Sequence, residues 1–364
     1  MAHFSSVTNS GAGPLKPAAL TANHDPPLPQ HLNIVALETF FTPLPPLIIP
    51  KPYTYTLTEY SRTSAAQVAE RIKDANIVIT TVVPIRANTL SAANAPNLRL
   101  IAAMASGTDS IDLAACSARG IRVLNSPNCN SVAVAEHVVS LYLATRRSLV
   151  PVMRALSADE WATTGFIMTR AYTADAPPRS CRDETVGIIG YGGVGQAAAR
   201  LLGALGMNVI VSDRRGAPPG SDGNGNNGRV PFETVLQQAT VLVLCCPLVP
   251  ETRNLIGAAE FARMQPDAIV INVSRGGIVN EEALVTALRE RRIGGAGVDV
   301  FDYEPASVQS SPVVAAMVEG NLNLIATGHT AWVSASTRAN YQRTLQENVE
   351  RFIRGTVDAD RMKA

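Results

Sequence analysis

From Ile34 onward the chain alternates short apolar runs with stretches of helical periodicity. Ile34–Leu37, Ala75–Val83, Leu98–Met104 and Ile121–Asn125 read as strands, with Ser64–Lys73 and Ile111–Arg119 as helices between them. Strands that alternate with helices predict a parallel sheet. No phosphate-binding loop marks this first block. Ser131–Arg147 follows as one long helix with few polar positions. Its alanines and valines predict burial against another body, such as a second subunit.

A polar, proline-containing stretch, Thr173–Asp183, separates that helix from a second series, so a domain change is expected near residue 130. The second series predicts strands at Thr185–Ile189, Val209–Ser212, Thr240–Cys245, Ala268–Val273, Gly297–Phe301 and Leu324–Thr327. Their continuous β-branched runs suit strands buried on both faces. Helices are predicted at Gly193–Leu205, closed by Gly206, and at Glu281–Arg291, capped by Asn280. The fold class is therefore α/β, with two Rossmann-like domains built on doubly wound parallel sheets. The glycine-rich insert Gly216–Gly228 reads as a surface loop.

A length of 364 residues suits two domains, and 46% hydrophobic with 17% charged residues suits globular ones. Residues 1–30 are rich in Ser, Ala, Pro, Gly and Asn and read as a disordered leader. The leader is poor in arginine, which argues against mitochondrial import and leaves the cytoplasm as the expected location. A net charge of +1 offers no field for nucleic acid or an anionic membrane. The five cysteines (Cys116, Cys129, Cys181, Cys245 and Cys246) have no framework spacing and read as buried thiols, with no metal site among them.

Candidate chemistry begins at Gly190-Tyr191-Gly192-Gly193-Val194-Gly195. A strand enters this turn and an alanine-rich helix leaves it, which is the context a dinucleotide site requires. Gly190 permits the tight turn, Gly192 lets a pyrophosphate approach the backbone, and Gly195 lets helix pack on strand. The helix N-terminus adds free N–H groups and a positive dipole end. Asp213 ends the next strand, 23 residues after Gly190, where a carboxylate can accept from both adenosine ribose hydroxyls. That choice favours NAD; Arg214 and Arg215 beside it keep NADP as the alternative.

Hydride transfer also needs a proton donor and a cation to orient substrate. Of five histidines, His3, His24 and His31 lie in or beside the leader, and His137 sits mid-helix, where a structural role is expected. His329 follows the sixth strand of the second series, Arg275 the fourth and Glu304 the fifth. All three fall at the carboxyl edge where an open α/β sheet binds ligands. A carboxylate beside an imidazole favours the protonated ring, and an arginine can grip a carboxylate through two bonds.

Several stretches then resemble the D-isomer-specific 2-hydroxyacid dehydrogenases over about residues 75 to 355: TVGIIGYGGVG at 185–195, CPLVPETRNLIG at 246–257, INVSRGGIVNEEAL at 271–284, GAGVDVFDYEP at 295–305 and GHTAW at 328–332. With ASGTDSID at 105–112 the likeness is greatest to the glycerate dehydrogenase, or hydroxypyruvate reductase, branch. The resemblance implies a substrate domain split into 31–127 and 333–364 around a cofactor domain at 128–332, and a homodimer. It implies that Arg275 holds the substrate carboxylate and carbonyl, His329 gives the proton, and Glu304 tunes His329. Ser106 and Gly107 would offer N–H groups to the substrate. Cys246 and Pro247 would border the adenosine, Asp299 would meet the nicotinamide carboxamide, and Gly193, Val194, Val273 and His329 would complete the coenzyme contacts. The expected substrate is a small 2-keto acid of the hydroxypyruvate or glyoxylate type. Bulkier aryl or branched 2-keto acids, and a dinucleotide-sensing corepressor-like role, are the alternative readings. There are departures too. Gly193 stands where many relatives carry a basic or polar residue, Gly328 replaces a proline, and the insert after Asp213 is unusually long.

Overall fold

A computed structural model describes residues 27–171, 177–217, 228–320, 322–357 and 363. Most of the expected leader and of the 216–228 insert lies outside these residues. The first sheet holds β1 (His31–Ala36), β2 (Thr54–Glu59), β3 (Ile77–Thr80), β4 (Leu100–Ala103) and β5 (Arg122–Leu124). They run parallel in the order β2-β1-β3-β4-β5. The central strands β3 and β4 are buried at every position, as continuous apolar runs demand. β2 was not anticipated. Its sequence TYTLTE offers only Leu57 to the core, and as an edge strand it is mostly exposed and paired on one side only.

The second sheet holds β6 (Thr185–Ile189), β7 (Asn208–Ser212), β8 (Arg229–Val230), β9 (Val241–Leu244), β10 (Ile269–Asn272), β11 (Gly295–Val298) and β12 (Leu324–Ala326). Its order is β12-β11-β10-β9-β6-β7-β8, again all parallel. Chain order reverses beside β6, so the crevice at the carboxyl ends of β6 and β9 is where such a sheet takes a ligand. β11 sits two residues earlier than its apolar pattern predicts. A Cβ on Gly297 would lie 2.9 Å from the Leu141 side chain, so the strand spends small residues on close approach of a helix. Val300 and Phe301, read as strand, are buried loop.

That helix is Ser131–Arg146, and the body that covers it is the chain's own second sheet. Its Val134, Val138, Leu141 and Tyr142 join Val186, Ile188, Val243 and Ile271 in one core cluster. Its C-terminal end is fixed by charge. Arg146 gives Nε and Nη2 to the two oxygens of Glu184 at 2.6 and 3.0 Å, and further bonds to the carbonyls of Asp267 and Thr240. Both side chains are buried, and Glu184 also accepts from Tyr142 and Thr240. A buried pair is tolerable only with its remaining valences met in this way.

The terminal helix Ala335–Arg354 returns to the first sheet. Ser334 caps it through Thr337 N–H, and Tyr341, Leu345, Val349 and Phe352 pack among Ile34, Ile79 and Leu100. The two sheets are thus joined by two crossings, one before Ser131 and one before Ala335. No helix among the described residues is long and apolar enough to cross a membrane.

Candidate active site

The glycine turn leaves β6 and enters the helix Gly193–Ala204. Gly190 has φ +92°, and a Cβ there would lie 2.6 Å from the Cys245 carbonyl carbon. A Cβ on Gly195 would strike the Gly190 carbonyl oxygen, whereas one on Gly192 would meet nothing within 4 Å. The backbone is therefore closed on its inner side and open where a pyrophosphate would lie, at the N–H end of a helix. These are the features a dinucleotide needs, and the residues fit one.

At the adenosine end, Asp213 is half-buried, its N–H bonded to the Val230 carbonyl and its carboxylate without a partner among the described residues. Arg214 is exposed. Arg215 is already engaged: Nη2 meets Glu260 at 2.7 Å, and the guanidinium lies 5.5 Å from the Phe232 ring centre. The second arginine that kept NADP in play thus has a partner of its own. Cys246 and Pro247 follow β9 beside Gly190. Burial pushes the Cys245 thiol up to about 12 and the Cys246 thiol up to about 11, so both are neutral packing groups. Val273 is buried at the end of β10.

Arg275 follows β10, where Nη1 donates to the Ser274 carbonyl at 2.7 Å. Glu304 follows β11 and accepts the Phe301 N–H at 3.0 Å. Its other oxygen lies 2.6 Å from His329 Nδ1. The bond to Glu304 raises the His329 pKa. Burial opposes it, the charges of Glu304 and Asp299 reinforce it, and Arg275 works against it. On Glu304, burial pushes upward, but the bond and charge of His329, the Phe301 N–H and Arg275 hold the carboxyl below its ordinary value. His329 Nε2 has no partner among the described residues.

The His329 backbone is held in a left-handed conformation, φ +54°. Its N–H donates to the Asp299 carbonyl at 2.7 Å, and its carbonyl accepts the Trp332 indole N–H at 3.0 Å. These bonds hold the His329 backbone to the Asp299 loop, with Gly328 before it. The buried Asp299 carboxylate secures the same loop. Oδ1 accepts from Thr327 at 2.6 Å and Thr330 N–H at 2.9 Å, and Oδ2 from Ala331 N–H at 3.0 Å. His137 is not remote from this site: its Nε2 lies 3.0 Å from Thr327 Oγ1 and 3.7 Å from Asp299 Oδ1.

The first sheet presents Ser106 and Gly107 on the loop after β4. Ser106 Oγ lies 2.9 Å from Asn130 Oδ1 and 3.1 Å from the Ser126 carbonyl, the two acceptors that share its one proton. A Cβ on Gly107 would run into Arg275 Nη2. The guanidinium of the second sheet therefore rests on the loop of the first. Asp109, two residues on, takes Nε and Nη2 of Arg275 at 3.0 and 2.9 Å on one oxygen. So the structure brings Arg275, Glu304, His329, Ser106 and Gly107 to one mouth, with the glycine turn on the same sheet edge. Sequence reasoning missed Asp109, although it stands inside the ASGTDSID stretch, and it missed the second-layer place of His137.

Residues 139–331 match the family described as D-isomer specific 2-hydroxyacid dehydrogenase, NAD binding domain. The chain belongs to that family. It is 38% identical over 311 residues to a glycerate dehydrogenase of Methylorubrum extorquens, covering 83% of this chain and 91% of that protein. A hydroxypyruvate reductase of Blautia hydrogenotrophica is 30% identical over 300 residues, covering 82% of this chain and 89% of that one. Among solved structures, an NADPH-dependent glyoxylate/hydroxypyruvate reductase of Sinorhizobium meliloti is similar with a TM-score of 0.67 and 26% identity, over 88% of this chain and 94% of that one. As a 2-hydroxyacid dehydrogenase, the protein is an oxidoreductase with an NAD-binding domain. Among the described residues no cluster of His, Cys, Asp and Glu could hold a metal ion.

Proposed function

We propose that this dehydrogenase reduces a small 2-keto acid of the glyoxylate or hydroxypyruvate type, with NADH as coenzyme. One observation carries the reading: an imidazole paired with a carboxylate, and a guanidinium resting on the facing loop, share the sheet edge that carries the glycine turn. A bound NADH supplies the hydride. Gly190, Gly192, Gly193, Val194 and Gly195 seat its pyrophosphate, Asp213 its adenosine ribose, and Cys246, Pro247 and Val273 border it. Asp299 Oδ2, with a single hydrogen bond, retains a lone pair for the nicotinamide carboxamide.

Arg275 and the N–H groups of Ser106 and Gly107 hold the substrate carboxylate. His329, its protonated form favoured by Glu304, delivers a proton from Nε2 to the keto oxygen. Asp213, unpaired, and Arg215, engaged with Glu260, favour NAD over NADP. Residues 31–127 and 333–364 form the substrate domain, and 128–332 the cofactor domain. Leu149, Met153, Leu156, Trp161 and Met168, exposed on the consecutive short helices Leu149–Ser157, Glu160–Thr164 and Met168–Ala171, and Phe166, exposed on the link between the last two, support a homodimer with this segment in its interface. Five free cysteines support a cytoplasmic location.

The test is a panel of glyoxylate, hydroxypyruvate, pyruvate and phenylpyruvate, each with NADH and NADPH. The two small polar acids with NADH should be turned over best, and His329→Asn should lower kcat by about 10²–10⁴-fold, the usual worth of a positioned proton donor. Near-wild-type turnover by that variant, or a preference for phenylpyruvate, refutes the assignment.

A further inference from the structure

Gly193 opens the helix Gly193–Ala204, and the space a side chain would take there is filled from elsewhere. A Cβ on Gly193 would fall against Oδ1 of Asn128 and 2.8 Å from Oγ of Ser131. Both residues belong to the crossing between the sheets, and Ser131 is the first residue of the helix Ser131–Arg146. Two helix N-termini therefore meet at one point, each with unpaired N–H groups and a positive dipole end.

The side chains at this point are unsatisfied. Ser131 is 8% exposed, and its hydroxyl is a buried polar atom without a hydrogen-bond partner. Buried hydroxyls are nearly always paired, so an orphan calls for a ligand or a rearrangement that pairs it. Asn128 is exposed, and its carboxamide has no partner among the described residues. Its backbone is left-handed, φ +61°, which Asn and Gly tolerate best.

We propose that Asn128 and Ser131 are the second wall of the pyrophosphate site. They supply the side-chain hydrogen bond to the diphosphate that Gly193 cannot make. The inference rests on reading Gly190–Gly195 as the dinucleotide turn. With the coenzyme bound, Ser131 turns its hydroxyl proton to Asn128 Oδ1, which pairs the orphan and directs the Nδ2 donors outward to the phosphate oxygens. The glycine at 193 is the vacancy that admits the asparagine.

The test measures dissociation constants, by calorimetry or coenzyme fluorescence, for NADH, ADP-ribose and adenosine on the full chain. Asn128→Gly keeps the left-handed backbone and removes only the carboxamide. It should weaken NADH and ADP-ribose by about tenfold, the usual worth of a hydrogen bond to a charged group, and leave adenosine unchanged. Asn128→Asp also tolerates the backbone and should weaken both diphosphates further, because it sets a negative charge against them. Ser131→Ala should weaken them less than Asn128→Gly. Binding of NADH and ADP-ribose by Asn128→Gly within twofold of wild type overturns the proposal, as does an equal loss for adenosine. Failure of the wild-type chain to bind NADH at all refutes instead the dinucleotide reading on which the proposal stands.

Discussion

Replacing Asp109 by asparagine should make the enzyme bind its substrate more tightly. Nε and Nη2 of Arg275, the pair expected to fork an incoming carboxylate, are both held on one oxygen of Asp109. A substrate must displace this internal carboxylate before it can take Arg275, and it enters against a like charge. The side chains are 34% and 69% exposed, so solvent screens the pair. Such exposed pairs are worth about 0.2–1 kcal/mol. Removing the competitor should therefore lower KM by about 1.4- to 5-fold. kcat should hardly change, because His329 and Glu304 do not touch Asp109. Initial rates of NADH oxidation with glyoxylate and hydroxypyruvate measure both constants. Raising the ionic strength should narrow the difference between wild type and Asp109→Asn, since the wild-type pair weakens with screening. A several-fold rise in KM for Asp109→Asn would refute this reasoning, because it would make Asp109 the group that orients Arg275 for substrate.

Further outcomes follow from the same geometry. Glu304 raises the pKa of His329, so the proton donor persists to higher pH and reductive turnover falls as pH rises through that value. Glu304→Gln should move this descending limb to lower pH in a kcat profile, and an unmoved limb would show that another group titrates. Arg146→Met should destabilise the fold by about 3–5 kcal/mol, the cost of leaving a buried carboxylate uncompensated. Adding Glu184→Gln should recover much of that loss in urea unfolding, whereas simple additivity would mean the pair is not coupled.

What could be read from the sequence was whatever repeats or clusters along the chain. The buried strands β3, β4, β6, β9 and β10 announce themselves as apolar runs, and Asn280 and Gly206 mark helix ends by their own chemistry. Arg275, Glu304 and His329 were legible because each follows a strand of one sheet, so topology alone sets them on one edge. The edge strand β2 was not legible, since an exposed edge needs no apolar pattern. β8 is two residues long and follows the insert, too short to show periodicity. Asp109, Asn128 and His137 act through residues far away in sequence, at 275, 193 and 327. No local spacing encodes such contacts. For His137 the mid-helix position pointed to packing, yet its ring reaches the loop that carries His329.

The network of Arg146 has a mechanical meaning as well as an energetic one. With Glu184, the Asp267 carbonyl and the Thr240 carbonyl, it welds the far end of the helix Ser131–Arg146 to the floor of the second sheet. The helix, though it begins at the border with the first sheet, can only travel with the second. Any rocking of one sheet against the other must then be absorbed in the few residues of the two crossings, 125–130 and 332–334. Asn128 sits in the first, and the second begins three residues after His329. The pivots are therefore built from the same short segments that furnish the coenzyme wall and adjoin the proton donor, so a change of angle between the sheets is felt at once by the chemistry.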